Sequence, residues 1–411
     1  MSELKVDADP AELGFDPDRL ARIDKHFARY VDDGLLAGWA TVVTRDGRIA
    51  HASTHGLRDR EADLPVDWET RWRIFSMTKP ITSVAAMMLV EEGVLTLNDP
   101  ISKFLPEFAG PRVYVRGSAL NAQTVAATEP IRVWHLLTHT SGLTYGFHHV
   151  HPVDAMYRAA GYEWGTPPGN DLAANSEFFA SVPLLFQPGT EWNYGVSTDV
   201  LGRLVEVASG QPLDEFFRTR IFAPLGMTET AFWLEGAELD QLAALYIPHP
   251  KTRKAVRNDA FGSLGKSRPD GFSGGGGLIS TAADYHRFTQ FILRGGELDG
   301  VRLLSPRTVA QMGSNHLPGG ADLEQIGRPL FTETRYDGVG FGLGFSVLVN
   351  PVKAKTLASL GEIGWGGAAS TGFWVDPQQR ITALFFTQLL PSSTHPVRPE
   401  FTQLVYQSLL G

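Results

Sequence analysis

Strand-forming segments lie near both ends of this 411-residue chain, and mostly helical segments lie between them. Residues 39–44 and 49–54 are rich in β-branched and aromatic residues and are joined through Asp46-Gly47, a strong signal for a β-hairpin. The last third of the chain contains further strand-like runs, at residues 341–349, 368–375 and 381–387. We therefore predict an α+β fold in which one antiparallel sheet is assembled from both chain ends and flanked by helices, with a mainly helical second domain.

The segments between and beside these strands have apolar residues three and four positions apart, which is typical of helices. This spacing predicts helices at residues 16–31, 81–90, 131–144, 201–207, 213–221 and 401–410. From this order we predict one domain built from residues 1–105 and 276–411, and a mainly helical insertion at residues 106–275 that lines a cleft. Within the insertion, residues 145–169 combine aromatic residues with histidines, glycines and prolines, which indicates a long loop that forms a lid or a binding wall.

A serine and a lysine three residues apart, Ser76 and Lys79, precede the apolar helix predicted at residues 81–90. If the helix includes them, their Cβ atoms lie about 5–6 Å apart on one face, within reach of a direct proton transfer. Burial would lower the lysine pKa from its usual value of about 10.4, and the start of the helix offers unpaired N–H groups to a developing oxyanion. The alternative is that Ser76 caps the helix and Lys79 lies on the surface, because so short a pattern often occurs by chance.

Two other segments carry groups that could act with Ser76. Tyr194 lies between turn residues and the start of a helix, and its phenol could share a proton with Lys79. The glycine-rich residues 364–368 begin a predicted strand, where a substrate can approach the backbone and an amide could complete an oxyanion hole with that of Ser76. The alternatives are a tyrosine packed in the core and a bulge or tight bend.

Several other motifs lack the context that their chemistry needs. Ser273 lies in a G-x-S-x-G pattern, but no strand precedes it and no helix follows directly, as a nucleophile elbow requires. The glycine run at residues 274–277 lacks the lysine of a phosphate loop. The histidines at positions 148, 149 and 151 lack acidic partners, and we interpret His135 and His139 as structural. We predict no metal site.

Composition excludes several classes of function. The chain has no cysteine, which excludes disulfides, thiol nucleophiles and cysteine-based metal sites. Its formal charge of -9 comes from scattered acidic residues, so nucleic acid is not an expected partner. The N-terminal residues are acidic rather than typical of a signal peptide, and no apolar run approaches 18 residues. We expect a cytoplasmic protein without a membrane partner or a cofactor.

The ordered set of motifs resembles the serine β-lactamase-like superfamily, most closely the family VIII carboxylesterases. The set consists of Ser76-Met-Thr-Lys79, His139-Thr-Ser-Gly-Leu143, Tyr194, Gly274-Gly-Gly-Gly-Leu-Ile-Ser-Thr281 and Trp365-Gly-Gly367. The resemblance implies that Ser76 is the acyl-accepting nucleophile and that Lys79 and Tyr194 form the general-base pair. It also implies an oxyanion hole formed by the backbone of Ser76 and Ala368.

Two departures from the resembled family bear on the substrate. Class C β-lactamases carry Tyr-x-Asn at the second motif, where this chain has Val196, and Lys-Thr-Gly at the third, where it has Trp365-Gly366-Gly367. A lysine at the third motif attracts carboxylates, whereas a tryptophan is a flat apolar wall. We therefore expect a small neutral ester as substrate, bound by Trp365, Gly366, Gly367 and Tyr145.

Four alternatives to an esterase remain open at this point, and the oligomeric state is left open too. Three are enzymes with the same fold: a β-lactamase, a D-amino-acid peptidase or amidase, and a transesterase that passes the acyl group to an alcohol. The fourth is a binding scaffold without catalysis.

Overall fold

The computed structural model describes residues 4–410. Its α-helices, in chain order, are α1 Pro17–Leu20, α2 Arg22–Asp32, α3 Thr78–Glu91, α4 Val133–Leu137, α5 Pro152–Ala159, α6 Leu172–Ser181, α7 Ser197–Ser209, α8 Leu213–Phe217, α9 Ala223–Leu225, α10 Asp259–Gly262, α11 Ala282–Leu293, α12 Pro306–Met312, α13 Leu323–Ile326, α14 Pro351–Ala354 and α15 Val397–Tyr406. Its strands are β1 Gly38–Arg45, β2 Arg48–Asp59, β3 Leu64–Pro65, β4 Trp72–Arg73, β5 Arg112–Ser118, β6 Asn121–Ala126, β7 Tyr246–Pro248, β8 Ala255–Arg257, β9 Ile279–Ser280, β10 Glu297–Leu298, β11 Val301–Arg302, β12 Val339–Phe341, β13 Ser346–Leu348, β14 Ile363–Gly366, β15 Gly372–Asp376 and β16 Ile381–Phe386. Among these described helices, none has both the length and the apolar character needed to cross a membrane.

Eight strands form the central sheet in the order β12-β13-β14-β15-β16-β1-β2-β3. Each neighbouring pair is antiparallel. The C-terminal strand β16 pairs with the N-terminal strand β1, with Ala40 opposite Phe386. The two chain ends therefore build one sheet, which confirms the predicted assembly.

Different helices cover the two faces of this sheet. Side chains alternate between faces along a strand, so neighbouring residues of β15 point in opposite directions. Phe373 contacts Tyr285 of α11, with ring centroids 5.1 Å apart. Its neighbour Trp374 contacts Phe401 of α15 at 5.0 Å. The prediction of an antiparallel sheet flanked by helices is thus confirmed.

The sequence prediction is wrong near the C-terminal strands. The strand predicted at 368–375 begins only at Gly372, because residues 367–371 form a turn closed by a 2.9 Å bond from the Gly367 amide to the Thr371 carbonyl. The prediction also misses β14, since two of its four residues are glycines, which strands disfavour. Packing requires Gly364 there, because a Cβ would lie 2.5 Å from the Phe373 carbonyl oxygen. The glycine-rich segment therefore ends a strand instead of beginning one.

Residues 106–275 contain more regular structure than their pattern predicts. The hairpins β5–β6 and β7–β8 and the helices α5 and α6 all lie there, and α11 further along is also missed. Helix α5 falls inside the predicted loop at residues 145–169; it begins with Pro152 in its first turn and is capped by His151, whose side chain accepts a bond from the Val153 amide at 3.1 Å. The division into two domains stays a prediction, and its ends at residues 1–3 and 411 lie outside the described residues.

Helix α3 positions the site because other elements surround its N-terminal half. Twelve of its 14 residues, from Thr78 to Leu89, are buried. Thr82 donates a 2.7 Å hydrogen bond to the carbonyl of Gly274, in the glycine run that precedes β9. On the other side of that run, a Cβ at Gly202 of α7 would lie 3.4 Å from the Gly274 Cα. The glycines thus let α3, α7 and this loop pack closely beside Ser76 and Lys79.

Candidate active site

Ser76 lies in a single 3-10 turn, Phe75–Met77, that leads directly into α3. Phe75 has a φ of +44°, which residues with side chains rarely adopt, and such strain is concentrated at functional sites. The Tyr285 hydroxyl donates a 2.8 Å hydrogen bond to the Met77 carbonyl. Ser76 retains 8% of its surface exposed, so the turn presents its hydroxyl in a nearly closed site.

Lys79 is fully buried, and its ammonium group has three acceptors. The Nζ atom donates to the Ser76 Oγ at 3.3 Å, to the Tyr145 hydroxyl at 2.9 Å and to the Gly275 carbonyl at 2.6 Å. Burial lowers the pKa of Lys79 to about 8, although the negative charges of Asp199 and Glu333 oppose this shift. The alternative of a surface lysine behind a serine cap is wrong, because Lys79 is 2% exposed and α3 has no side-chain cap.

Tyr194 and Tyr145 both lie beside Lys79, but their contacts with it differ. The Lys79 ammonium lies over the Tyr194 ring, 4.7 Å from its centroid. It bonds to the hydroxyl of Tyr145 instead, a residue predicted only to bind substrate. The two phenol rings contact each other edge to face, with centroids 5.3 Å apart. The structure therefore brings the predicted tyrosine to the site and adds a second one as the partner of the lysine.

Both phenols stay protonated near neutral pH. Burial raises the pKa of Tyr145 and of Tyr194 well above the usual value for tyrosine. The Tyr194 hydroxyl has no hydrogen-bond partner of good geometry among the described residues. The Ser76 hydroxyl and the Trp365 indole are close enough to act on it, and they lower its pKa against the larger effect of burial. A buried, unpaired phenol beside a serine is placed to bond to whatever occupies the site.

The backbone of Gly367 lies against the residues just before Ser76. A Cβ at Gly367 would come 2.3 Å from the Ile74 carbonyl oxygen, so only glycine permits this approach. The next residue, Ala368, packs with Phe75 on one small apolar cluster. Within residues 4–410 the Ala368 amide has no hydrogen-bond acceptor. This arrangement is consistent with the predicted oxyanion hole, in which an unpaired amide stands near the Ser76 turn.

Arg398 of α15 forms hydrogen bonds to this segment from the face of the sheet that α15 covers. Its guanidinium donates to the carbonyls of Gly367 at 2.6 Å and Thr371 at 2.9 Å, and to the carboxylate of the buried Glu333 at 2.8 Å. A Cβ at Gly366 would lie 2.2 Å from the Arg398 Cζ, so the guanidinium fills the space beside that glycine. Sequence reasoning missed Arg398 and Glu333, because no local pattern links residues so far apart in the chain.

Trp365 forms an apolar wall next to Tyr194. Its ring lies edge to face against Tyr194, with centroids 5.4 Å apart, and against Phe341 at 5.3 Å. The indole N–H is buried and lacks a partner among the described residues. Class C β-lactamases carry a lysine at this position, whereas this chain has an uncharged ring with an N–H group that is free to donate a hydrogen bond. Its predicted contact with substrate, like that of the adjacent glycines, stays a prediction.

The glycine run at residues 274–277 and Ser273 are part of the hydrogen-bond network that holds Lys79 in place. Ser273 donates a 2.5 Å hydrogen bond to Asp199 of α7, which also accepts the Gly275 amide at 3.1 Å. The carbonyl of Gly275 in turn accepts from Lys79. A turn follows Ser273, and neither a strand before it nor a helix after it forms the elbow of an α/β-hydrolase.

The histidines have structural contacts. His148 bonds to the Tyr194 carbonyl at 2.9 Å, and His149 pairs with Glu163 on the surface at 2.8 Å. The rings of His139 and Tyr194 are in contact at 5.1 Å, and burial lowers the pKa of His139 well below its usual range. Nowhere in the described chain do three or more suitable side chains gather as a metal site. His148 therefore positions Tyr194, a role that its sequence context does not reveal.

Comparison with known proteins identifies the family. A model of the family described as Beta-lactamase matches residues 23–407. An uncharacterized protein of Mycobacterium tuberculosis is 36% identical over 363 residues, which cover 88% of this chain and 88% of that protein. Esterase EstB of Burkholderia gladioli is 32% identical over 401 residues, which cover 92% of this chain and 93% of EstB. The solved structure of EstCE1, described as a hydrolase with promiscuous acyltransferase activity, aligns with a TM-score of 0.80 at 28% identity and covers 96% of this chain and 99% of its own. The chain therefore belongs to the beta-lactamase family, and it is a serine hydrolase with the β-lactamase-like fold.

Proposed function

We propose that this protein is a serine esterase that hydrolyses small, uncharged carboxylic esters through an acyl-enzyme on Ser76. The observation that carries the proposal is the 3.3 Å contact between the Ser76 Oγ and the Nζ of a fully buried lysine. With its pKa near 8, about one Lys79 in ten is neutral at pH 7. A neutral amine at this distance is the base that a serine hydroxyl needs.

The first half-reaction forms the acyl-enzyme. The Ser76 oxygen attacks the ester carbonyl carbon while its proton passes to the Lys79 Nζ. The carbonyl oxygen gains negative charge, which the amides of Ser76 and Ala368 stabilise. The carbon–oxygen bond to the alcohol then breaks, and the alcohol leaves with the proton that Lys79 gives back. The Tyr194 hydroxyl, which lies beside Ser76 and has no other partner among the described residues, is placed to pass that proton on.

The second half-reaction releases the acid. A water molecule attacks the acyl carbon and gives one proton to Lys79, so that a second oxyanion forms in the same place. The bond between the acyl carbon and the Ser76 oxygen breaks, and the proton returns to that oxygen. No net charge is left on the enzyme, and the carboxylic acid leaves.

The surroundings of Trp365 favour neutral esters over β-lactams and peptides that carry a carboxylate. A carboxylate at this buried indole would lose its hydration without gaining a cation, which costs several kcal/mol in a low-dielectric site. An ester group carries no charge and meets no such penalty. One relative, EstB, is named an esterase, which agrees with this preference.

Acyl transfer to an alcohol is a second candidate. Ser76 and Lys79 are 8% and 2% exposed, so little water has access to the acyl carbon, and an apolar alcohol would compete well for it. The structural neighbour EstCE1 is described as having promiscuous acyltransferase activity. Measuring the ratio of ester to acid formed when an alcohol is added decides between the two.

Labelling with a fluorophosphonate and intact-protein mass spectrometry tests the nucleophile. We expect one adduct on the wild type, its loss in Ser76→Ala, and a fall in p-nitrophenyl acetate hydrolysis of about 10³-fold or more in that variant. Ser273→Ala is the matched control, since it removes another serine hydroxyl, half-buried, and it should keep the adduct and most of the activity. Labelling of Ser273, or hydrolysis that survives Ser76→Ala, would contradict the proposal, and an unlabelled, inactive wild type would favour the binding scaffold.

A further inference from the structure

Four aromatic side chains form a connected row that we name the aromatic arc: Tyr145, Phe147, Trp164 and Phe261. Tyr145 stacks on Phe147 with ring centroids 4.7 Å apart, and Phe147 stacks on Trp164 at 5.2 Å. Trp164 then meets Phe261 edge to face at 5.9 Å. The arc is therefore continuous from its first ring to its last.

Both ends of the arc lie beside groups of the Ser76 site. At one end the Tyr145 hydroxyl bonds to Lys79. At the other end Phe261 packs on the same small apolar cluster as Phe75, the residue before Ser76, and Ala368. The rings therefore run from the lysine beside Ser76 to the apolar cluster on which the Ser76 turn packs.

Packing of the protein core does not account for Trp164. Its side chain is 57% exposed, whereas large aromatic side chains are mostly buried in this structure. It lies between α5 and α6 in a segment tied down by polar contacts, the His149–Glu163 pair at 2.8 Å and a 2.7 Å bond from the Gly169 amide to Asp270. An exposed indole that is stacked on one face only can bury the rest of its surface against an apolar ligand.

We propose that the aromatic arc binds the apolar part of the substrate. The preferred substrates are then uncharged esters whose acyl or alcohol part carries an aromatic ring or an alkyl chain long enough to reach Trp164. The inference rests on the proposed esterase function, because it names the substrate class of that same site. Each methylene that comes into contact with the arc should raise kcat/KM by up to about fourfold.

Two ester series test the inference, one extended on the acyl side and one on the alcohol side. The acyl series is p-nitrophenyl acetate, butyrate and octanoate, and the alcohol series is phenyl acetate and 2-naphthyl acetate. In the wild type we expect kcat/KM to rise along at least one series. Trp164→Ala should lower kcat/KM for the longest member of that series about tenfold and change the shortest member by less than about twofold.

Three further variants serve as controls. Trp164→Phe keeps an aromatic ring and should retain most of the preference, and Phe147→Leu should reduce it as Trp164→Ala does. Leu120→Ala removes an apolar side chain that is 100% exposed at the turn between β5 and β6, so kcat/KM should stay unchanged for every ester. Because Trp164 is largely exposed, its replacement opens no core cavity, and circular dichroism confirms that each variant is folded.

The outcomes separate this inference from the proposed function. If the wild type hydrolyses these esters and Trp164→Ala leaves the ratio of long to short substrates unchanged in both series, the arc does not bind substrate. If the wild type hydrolyses none of them and a fluorophosphonate does not label Ser76, the esterase proposal itself fails.

Discussion

Ester hydrolysis should depend on pH through Lys79, and replacing Asp199 with asparagine should move that dependence. Asp199 accepts bonds from Ser273 at 2.5 Å and from the Gly275 amide at 3.1 Å, and the carbonyl of Gly275 accepts from Lys79. The backbone of one residue, Gly275, therefore connects Asp199 to the amine. Its negative charge also raises the pKa of Lys79 against the larger effect of burial.

The magnitude follows from the pKa of about 8. Below that pH the neutral fraction of Lys79 falls about tenfold per unit, and kcat/KM should fall with it. Asp199→Asn keeps an acceptor oxygen for the glycine loop but removes the charge, so the pKa of Lys79 drops and the acid limb moves to lower pH. At pH 6.5 only about 3% of wild-type Lys79 is neutral, so the rate relative to its own plateau should then rise, by at most about 30-fold.

The assay is kcat/KM for p-nitrophenyl butyrate between pH 5.5 and 9.5, read at a wavelength where the two forms of p-nitrophenol absorb equally. Ser273→Ala is the control, because it removes a hydrogen bond to Asp199 and leaves the charge in place, so its acid limb should not move. Other groups near the amine remain in both variants: Glu333, Tyr145, Tyr194 and His139. A wild-type rate that is flat below pH 8, or an acid limb that moves upward in Asp199→Asn, would refute the reasoning.

Three other predictions follow from the same structure. Lys79→Arg should lose as much activity as Lys79→Ala, because arginine keeps the charge but does not release its proton; activity above about one tenth of wild type would show an electrostatic role instead. Tyr194→Phe should lower kcat/KM about 10²-fold or more as the loss of a proton relay, whereas Tyr145→Phe should lower it about tenfold as the loss of one hydrogen bond; the opposite order would exchange the two roles. Burial raises the pKa of Glu362 to about 8, so its protonated form stabilises the folded state fully below pH 4.5, and this contribution is lost as pH rises through 8. In urea unfolding between pH 5 and 8, the free energy of unfolding of the wild type should fall relative to that of Glu362→Gln by about 1.4 kcal/mol per pH unit, and parallel curves would contradict the assignment.

Local spacing was enough to predict that Ser76 and Lys79 lie close together, whereas a catalytic role for them was favoured only once the family resemblance was considered. Ser76 and Lys79 are three residues apart, so a single helical turn brings them together whatever the rest of the chain does. The pairing of β1 with β2 was predictable for the same reason, because the Asp46-Gly47 turn lies between them. Placing Tyr194 and Ala368 beside this pair needed the family resemblance, since contacts over more than 100 residues leave no periodic signal.

The sequence could not predict which phenol bonds to Lys79. Both tyrosines reach the site, and the choice depends on the directions of two side chains that come from different loops. The ion pair of the half-buried Arg398 with the buried Glu333 was not predictable for a related reason. Charged residues are usually exposed, and nothing near either one in the sequence indicates that it supports a strand end.

The two glycine runs show why a glycine motif can be interpreted only together with the packing around it. Glycine runs before β9 and at the end of β14 are compatible with a bulge, a tight bend or a flexible linker when only their spacing is known. In the folded protein a Cβ at Gly275 would lie 2.3 Å from the Asp199 carboxylate, and one at Gly367 would lie 2.3 Å from the Ile74 carbonyl. The first glycine lets a backbone carbonyl reach Lys79, and the second lets an unpaired amide reach the Ser76 turn. Glycine is therefore required at both positions by the group that packs against it. A side chain at either position would displace a polar group that the proposed mechanism needs.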